Sequence, residues 1–313
     1  MKSRIACMVS LAVLVAVAVL GAAAASDSST DWPNWRGPSH NGISAETGWV
    51  KAWTDEKVTR LWRASVGIGF SSIAVAGGRA YTMGNAAGKD TVYCFDATTG
   101  REVWKQSYPS NKGAKYYEGG THATPTVDGT NVYTVSKWGD AFCFDAAKGT
   151  IKWQRDLAKE LRTPPPTWGF ASSARVVDNM IILNVGTAGV ALDKTTGKKI
   201  WMTGTDKPGY STPVIFGSGA ATSMLMFSKK ALVAVNVKNG KELWQFPWVT
   251  TYDANIADPI VDGNKIFISS GYNKGCALIK VESGQASKVW MNKKMRNHFN
   301  SCVLWKQHLY GFD

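Results

Sequence analysis

Tryptophan recurs along this chain at a nearly constant interval, and this spacing restricts the fold more than any other feature of the sequence. Six of the 14 tryptophans follow one another at intervals of 42 to 49 residues, at positions 62, 104, 153, 201, 244 and 290. In four copies, Asp or Asn is followed four residues later by Gly and four later again by Trp. These copies are Asp96-Gly100-Trp104, Asp145-Gly149-Trp153, Asp193-Gly197-Trp201 and Asn236-Gly240-Trp244. A repeat of this length is the period of a four-stranded propeller blade.

Each repeat also has a front half with the pattern of a β-hairpin. Segments 71–83, 123–135 and 257–269 each read as a strand, a turn containing Gly and a second strand. In the later turn the Asp side chain is expected to accept backbone N–H groups, and Gly supplies the positive φ. We therefore predict an all-β fold, a β-propeller of four-stranded antiparallel blades, in which each Trp lies across the junction with the next blade.

The repeat count predicts five complete blades and parts of others. A fifth copy keeps Gly284 but has Lys280 in place of the Asp, and its Trp290 comes two residues late. Residues 301–313 repeat only the front half of a unit, and Trp62 lies in a lone outer strand. We expect a propeller truncated at its C-terminus, from a parent of seven or eight blades. A six-bladed ring with a defective last blade is the alternative.

The motif at 94–104, Cys-Phe-Asp-Ala-Thr-Thr-Gly-Arg-Glu-Val-Trp, resembles the tryptophan docking motif of the PQQ-like (quinoprotein-type) β-propeller repeat family. The resemblance extends from about residue 60 to the end of the chain and implies the fold. The family includes quinoprotein dehydrogenases, the outer-membrane assembly propeller BamB and exported PQQ-binding-like propellers of unassigned role. The segment Asp31-Trp-Pro-Asn-Trp-Arg-Gly-Pro38 is similar to the N-terminal segment of that last group, and its composition predicts an extended strap with two Trp anchors.

The first 25 residues have the pattern of a signal peptide. Lys2 and Arg4 precede an apolar run from Ile5 to Leu20, which ends in small residues at 21–26. A run of this length is shorter than the roughly 20 residues that span a bilayer, so cleavage is favoured over an uncleaved anchor. We expect a signal peptide at 1–25, an N-terminal strap at 26–59 and the propeller at 60–313. The mature protein is expected in the periplasm or outside the cell, without a transmembrane segment.

Charge and cysteine content give weaker guidance about partners. The chain carries a formal charge of +13, but its Lys and Arg are dispersed and no nucleic-acid motif is present. We therefore expect no nucleic-acid partner, whereas an anionic envelope polymer or lipid headgroup remains open. Cys94 and Cys143 occupy equivalent repeat positions, which favours buried strand residues over a disulfide.

The segments that enter the innermost strands are the candidate binding site, because loops at one end of a rigid scaffold carry function disproportionately. They meet at the mouth of the central channel and offer eight candidate ligand-binding residues, His122, Trp168, Tyr210, Asp253, Asn255, Arg296, Asn297 and His298. Phe70 and Phe170 add aromatic faces, and Tyr116, Tyr117 and Glu118 could form a lid. Turn formation is the alternative role for several of these residues, and no metal-ligand spacing is found.

Three functions are compatible with this site. The first is a non-catalytic binding or scaffold module, acting as a monomer on a cell-envelope protein or anionic polymer. The second is a quinone-dependent oxidoreductase that uses PQQ with Ca²⁺, with Asp253 as its general base and Arg296 as a carboxylate clamp. The adjacent-cysteine disulfide implied by a resemblance to quinoprotein dehydrogenases is missing. The third is a carbohydrate-binding propeller, suggested by the exposed aromatic residues. We expect the first, with no assigned catalytic residue.

Overall fold

In the part of the chain that the structure describes, twenty strands form five four-stranded antiparallel sheets, and two more strands form a hairpin. The structure is a computed structural model that describes residues 30–50, 52, 54, 58–219 and 222–313, so the predicted signal peptide lies outside the described residues. The first blade contains β1 (Ala74–Ala76), β2 (Arg79–Ala86), β3 (Lys89–Asp96) and β4 (Glu102–Pro109). The second contains β5 (Thr126–Asp128), β6 (Asn131–Val135), β7 (Asp140–Asp145) and β8 (Ile151–Asp156).

The remaining blades repeat this plan. The third contains β9 (Arg175–Val177), β10 (Met180–Leu183), β11 (Val190–Asp193) and β12 (Lys199–Met202). The fourth contains β13 (Val214–Phe216), β14 (Ser223–Phe227), β15 (Ala231–Asn236) and β16 (Glu242–Pro247). The fifth contains β17 (Ile260–Asp262), β18 (Lys265–Ser270), β19 (Gly275–Glu282) and β20 (Gln285–Asn292). The hairpin is β21 (Val303–Trp305) and β22 (His308–Tyr310), and the short helix α1 (Leu157–Glu160) follows β8.

Strand order within every sheet follows the chain, and the first strand of each blade lies on the channel side. Each first strand has only three residues, and first strands of neighbouring blades contact each other, β1 with β5 and β5 with β9. The all-β propeller predicted from the repeats is therefore observed. The apolar cores lie between blades rather than within them, because each blade presents hydrophobic residues on both faces.

The Asp and Gly of each repeat form the predicted tight turn. The Oδ1 atoms of Asp96, Asp145 and Asp193 accept backbone N–H groups three residues later at 2.8, 3.0 and 2.8 Å. The glycines that follow have φ near +70°, a left-handed conformation that is strained for residues with a Cβ. Hydrogen bonding lowers the pKa of these partly exposed carboxyl groups, since the bonds favour the ionised form.

Each repeat tryptophan of the first three blades packs on the next blade. The indole N–H of Trp104 donates to the Ala146 carbonyl at 2.9 Å, and a Cβ placed on Gly149 would lie 2.6 Å from the Trp104 ring. Trp153 and Trp201 make the equivalent contacts at 3.1 and 2.8 Å to the carbonyls of Lys194 and Val237. Trp62 packs in the same way on the first blade, over Gly100, although its own segment forms no regular strand. Gly in the turn therefore leaves room for the indole.

The junction between the fourth and fifth blades lacks this contact. Gly284 forms the two-residue turn between β19 and β20, and nothing lies within 4 Å of a Cβ placed on it. Trp244 remains partly exposed and packs edge-on against Phe216 of its own blade, with ring centroids 6.1 Å apart. The Lys280 substitution and the late Trp290 thus coincide with a junction that has lost the tryptophan contact.

Two further predictions concern the cysteines and membrane-spanning segments. Cys94, Cys143, Cys276 and Cys302 are all buried and unpaired, which confirms that Cys94 and Cys143 are strand residues without a bridge. Among the described residues, no helix has the length and apolar character needed to cross a membrane.

Candidate functional site

A cavity of about 1190 Å³ occupies the mouth of the central channel, where the segments entering the innermost strands meet. We call it the mouth cavity. Nine Phe, Tyr and Trp side chains and two histidines line it: Trp35, Phe70, Tyr116, Tyr117, His122, Trp168, Tyr210, Tyr252, Tyr272, His298 and Phe299. Among the described residues, Asp258 supplies the one carboxylate on its wall and Lys115 the one Lys or Arg side chain. The site is therefore aromatic in character, with few charged groups.

A chain of hydrogen bonds joins successive blades beneath the aromatic residues. The residues involved precede each innermost strand by two positions: Ser72, Thr124, Ser173, Thr212, Asp258 and Ser301. Each of the first five donates its backbone N–H to the side-chain oxygen of the next, over 2.8 to 3.2 Å. The last five line the cavity, and we call them the floor residues. Ser or Thr suits this position because one hydroxyl can accept this bond and still donate another.

The N-terminal segment crosses the channel next to this floor. Trp32 exchanges backbone hydrogen bonds with Val75 of β1, at 2.7 and 2.9 Å, and the Pro33 carbonyl accepts the N–H of Val127 in β5 at 2.8 Å. The guanidinium of Arg36 then donates to the Cys302 carbonyl at 2.7 Å. The strap turns through 34–42, so the expectation of an extended segment was wrong for these residues. Glycine at 37 permits this turn, because a Cβ there would lie 2.7 Å from the Trp32 ring.

Asp258 links the N-terminal segment to the floor. Its side chain is 7% exposed, and its two oxygens accept the Trp35 indole N–H at 2.7 Å and the Thr212 backbone N–H at 2.8 Å. Burial raises the pKa of this carboxyl group, and the nearby Arg36 acts in the opposite direction. Asp258 is thus held in place by Trp35, Thr212 and the Ser301 hydroxyl, and it lines the cavity.

The aromatic side chains form two walls. On one side, Trp168 packs against Tyr210 and Tyr252 with ring centroids 5.9 and 6.3 Å apart, and Tyr272 continues this wall to His298 and Phe299. On the other, Phe70 lies 5.7 Å from Tyr117. Phe70 and Tyr252 are each 64% exposed, and exposed rings grouped around one cavity are typical of an interaction site. These rings offer surface to a ligand.

Behind the second wall, a buried lysine fixes the position of Tyr117 and His122. The Lys137 ammonium donates to the Tyr117 hydroxyl and to the Gly113 carbonyl, the latter at 2.7 Å. Tyr117 lies 2.8 Å from His122 Nε2, and since an ammonium group can only donate, the phenol proton is directed to the histidine. Burial, and then the charge of Lys137, lower the pKa of His122 to about 4. The histidine is therefore neutral and positions the loop rather than carrying charge.

The structure brings together half of the residues expected from the sequence. His122, Trp168, Tyr210 and His298 line the mouth cavity, as do Tyr116 and Tyr117 of the expected lid. Asp253, Asn255, Arg296 and Asn297 are not among the lining residues, so the site described from the sequence is corrected at these four positions. Phe170 is 1% exposed and belongs to the core between blades, not to the cavity.

Three of the four displaced residues have a side-chain hydrogen-bond partner elsewhere in the structure. Asn255 is buried and donates to the carbonyls of Ser228 and Trp248 at 2.8 and 3.2 Å. Asn297 donates to the Phe312 carbonyl at 2.7 Å, and Arg296 pairs with Asp313 over 3.0 Å. Asp253 lies in a short 3-10 turn at Thr251–Asp253. Asn and Asp at loop entries thus stabilise the loops themselves.

Several lining residues were missed in the sequence, above all Asp258 and Trp35. Asp258 does leave a signal, because Ala257-Asp-Pro-Ile-Val-Asp262 aligns with Ala123-Thr-Pro-Thr-Val-Asp128, which puts a carboxylate where the repeat otherwise has a hydroxyl. Tyr272 and Phe299 lie in loops of irregular length, and no repeat position indicates them.

Repeats, blades and tryptophan contacts together define a propeller of the PQQ-like class. The chain belongs to the PQQ-like repeat family whose model is described as outer membrane protein assembly factor BamB, with matches at residues 46–214 and 110–313.

Curated relatives carry two different names. An outer membrane protein assembly factor BamB from Yersinia pestis is 24% identical over 253 residues, which cover 72% of this chain and 59% of that protein. A polyvinylalcohol dehydrogenase from Sphingopyxis sp. (strain 113P3) is 26% identical over 152 residues, 43% of this chain and 23% of that protein. The chain thus spans between about a quarter and six tenths of these relatives.

Solved structures agree on the fold. BamB from Moraxella catarrhalis matches with a TM-score of 0.51 and 16% identity, over 76% of this chain and 65% of that chain. Quinohemoprotein alcohol dehydrogenase from Comamonas testosteroni matches with a TM-score of 0.59 and 13% identity, over 86% of this chain and 50% of that chain. At such identities, the likeness concerns the fold alone.

Proposed function

We propose that this chain is an exported envelope propeller that acts as a non-catalytic binding module and takes its ligand at the mouth cavity. The observation that carries this proposal is the cavity wall, where exposed aromatic rings surround a floor of hydroxyl groups and one hydrogen-bonded carboxylate. Concave sites lined by aromatic side chains with a few fixed polar groups are typical of ligand binding. Tyr and Trp are also the residues most enriched where proteins bind partners.

Support for an envelope location comes from two sources. Residues 1–25 carry the basic, apolar and small-residue regions of a signal peptide. The curated relatives include BamB proteins from Yersinia pestis and Burkholderia pseudomallei (strain K96243), whose name refers to the outer membrane. The proposed location is the periplasm or the cell exterior, and the proposed partner is a component of the envelope.

A PQQ-dependent oxidoreductase is the alternative, and the donor groups of the mouth cavity do not fit its cofactor. PQQ is a flat polyanion that needs cations for its carboxylates and oxygen ligands for Ca²⁺. Arg296, the expected clamp, pairs with Asp313 outside the cavity. Asp258 is a single carboxylate on the cavity wall, and the described residues contain no cluster of three or more His, Cys, Asp or Glu able to hold a metal ion. No reaction step is therefore assigned to the cavity.

Co-sedimentation of the purified mature protein with washed envelope fragments tests the proposal. We expect the protein to sediment with them, and a Phe70→Ala, Tyr252→Ala double variant to stay in solution because two exposed rings of the mouth cavity are removed. A matched control is Leu61→Ala, which removes an exposed apolar side chain that does not line the cavity.

A second arm separates binding from catalysis. The mature protein is incubated with PQQ and Ca²⁺, and dye-linked oxidation of alcohols and sugars is followed. We expect no oxidation above the rate without protein. Turnover that requires PQQ would overturn the non-catalytic proposal, and equal sedimentation of the wild type and the double variant would overturn the mouth cavity as its binding site.

A further inference from the structure

The floor residues leave three hydroxyl donors unused. Thr124, Ser173 and Thr212 each accept one backbone N–H from the preceding blade, at 3.1, 3.0 and 3.2 Å. Their own O–H groups have no acceptor among the described residues, although each side chain is at least nine-tenths buried. A buried hydroxyl that does not donate loses a hydrogen bond that water would provide. A bound ligand with acceptor oxygens would restore these bonds.

Asp258 adds a hydrogen-bond acceptor to the same floor. It lines the cavity beside Thr212, and its two oxygens offer four acceptor positions against three donors, Trp35, Thr212 and the Ser301 hydroxyl, which leaves one for a ligand. Donors and an acceptor therefore lie side by side. A ligand hydroxyl can donate to Asp258 and accept from a neighbouring Ser or Thr, whereas an apolar group can do neither.

The aromatic walls above the floor suit a ligand whose ring faces are covered by C–H groups. The face of an aromatic ring carries partial negative charge, so it attracts the weakly positive C–H groups that cover one side of a sugar ring. Trp168 and Tyr252 present one wall and Phe70 the other, and the rings at the rim are largely exposed. A molecule with hydroxyls at its edge and C–H groups on its faces meets both requirements.

The charge and the volume of the mouth cavity restrict the class of ligand further. One lysine, Lys115, and one carboxylate, Asp258, line the cavity among the described residues, so no cluster of cations attracts a polyanion. The volume of about 1190 Å³ exceeds that of most small-ligand sites, which leaves room for more than one ring. Trp35 and the floor residues lie opposite the exposed rings of the rim, so an elongated ligand that enters from the rim would place its end against the floor.

We propose that the mouth cavity binds the end of a neutral oligosaccharide, with sugar rings stacked on Trp168 and the facing aromatic residues and terminal hydroxyls bound by the floor residues. This inference rests on the proposed function, because it names the ligand class of the same site.

Titration with defined neutral sugars tests it. Cellohexaose and chitohexaose are titrated into the mature protein, and binding is followed by calorimetry and by the total tryptophan fluorescence, with an oligogalacturonate as the charged probe. We expect one neutral hexasaccharide to bind and the oligogalacturonate to bind at least about 10-fold more weakly, since a single lysine offers little attraction to several carboxylates.

Matched variants assign the binding to the cavity. Trp168→Ala should weaken binding about 10-fold, because a stacked ring is lost. Ser173→Ala removes a floor hydroxyl and should weaken it severalfold, whereas Thr212→Ser keeps the hydroxyl and should retain wild-type affinity. Trp49→Ala is the control, because Trp49 is 62% exposed and does not line the cavity. Circular dichroism verifies that each variant is folded. If Ser173→Ala is unstable, the affinities of Trp168→Ala, Thr212→Ser and Trp49→Ala still show whether the ligand binds in the cavity.

The outcomes separate this inference from the proposed function. If neither neutral hexasaccharide binds at millimolar concentration, or if Trp168→Ala binds as tightly as Trp49→Ala, the oligosaccharide inference is wrong. Envelope sedimentation that still depends on Phe70 and Tyr252 would then leave the binding module standing with another ligand. If the sugar binds but is oxidised in the presence of PQQ, the ligand class is right and the non-catalytic function is wrong.

Discussion

Tryptophan has two different environments in this propeller, one at the blade junctions and one at the mouth cavity. At the junctions, Trp104, Trp153 and Trp201 are buried, and each indole N–H donates to a carbonyl of the next blade. At the mouth, Trp168 is only partly buried and is surrounded by exposed rings. The same side chain thus stabilises the ring of blades in one place and offers surface to a ligand in the other. Replacing an aromatic side chain by Ala should therefore reduce the stability of the fold at the junctions and the affinity for a ligand at the mouth.

The largest effect is expected at a junction. Trp153→Ala should lower the free energy of unfolding by about 4 kcal/mol, because it removes a large buried side chain from the core between the second and third blades. Urea denaturation followed by circular dichroism measures this change. The junction between the fourth and fifth blades, where no tryptophan packs on the glycine, provides the internal comparison. There Trp244→Ala should lower the free energy of unfolding by only about 2 kcal/mol, since Trp244 is already partly exposed. Equal losses at both positions would show that packing on glycine adds nothing.

A smaller effect is expected from the glycine beneath the indole. Gly149→Ala should cost about 3 kcal/mol, because the new methyl group adds left-handed strain and lies 2.6 Å from the Trp104 ring. Gly284→Ala is the matched control, since Gly284 has a similar φ of +74° but no atom within 4 Å of the added Cβ. It should cost only about 1 kcal/mol for the backbone strain. The difference between the two variants isolates the steric part of the tryptophan contact.

The N-terminal segment and the mouth should make stability depend on pH. Burial lowers the pKa of His40 to about 3, assisted by the charge of Arg175, and the pKa of His122 to about 4. The unfolded chain takes up protons near pH 6.5 while the folded protein does not, so stability is full above pH 6.5 and falls as the pH decreases towards 4. Between pH 7 and pH 5 each histidine should reduce the free energy of unfolding by about 2 kcal/mol. Denaturation of His122→Gln at both pH values should show about half of the wild-type loss, and an unchanged loss would exclude His122 from this role.

The junctions could be predicted from the sequence because they recur. Asp96, Gly100 and Trp104 contact residues at fixed repeat offsets, so four aligned copies determined the turn, the packing and the number of strands per blade. The fifth copy departs at Lys280 and Trp290, and its junction departs too.

The mouth could be predicted only in part because its residues come from loops that do not repeat. His122, Trp168, Tyr210 and His298 were found from their place before the innermost strands. A polar side chain in these loops did not by itself identify a cavity residue. Asn255 and Asn297 donate to backbone carbonyls, and Arg296 pairs with Asp313. Tyr272 and Trp35 reach the cavity through contacts distant in sequence, such as the bond from Trp35 to Asp258, which no local pattern reports.

The smallest effect on stability is expected at the rim of the mouth cavity, and it can be compared directly with the effect at a blade junction. Phe70→Ala should lower the free energy of unfolding by no more than about 1 kcal/mol, because a ring that is 64% exposed buries only a minor part of its apolar surface. The same variant should still weaken ligand binding, which is the reverse of the result expected for Trp153→Ala at the junction. Urea denaturation and envelope sedimentation on the two variants measure both quantities. A loss of stability in Phe70→Ala comparable to that of a junction tryptophan would mean that the mouth aromatics hold the blades together, and the division between stabilising and binding rings would fail.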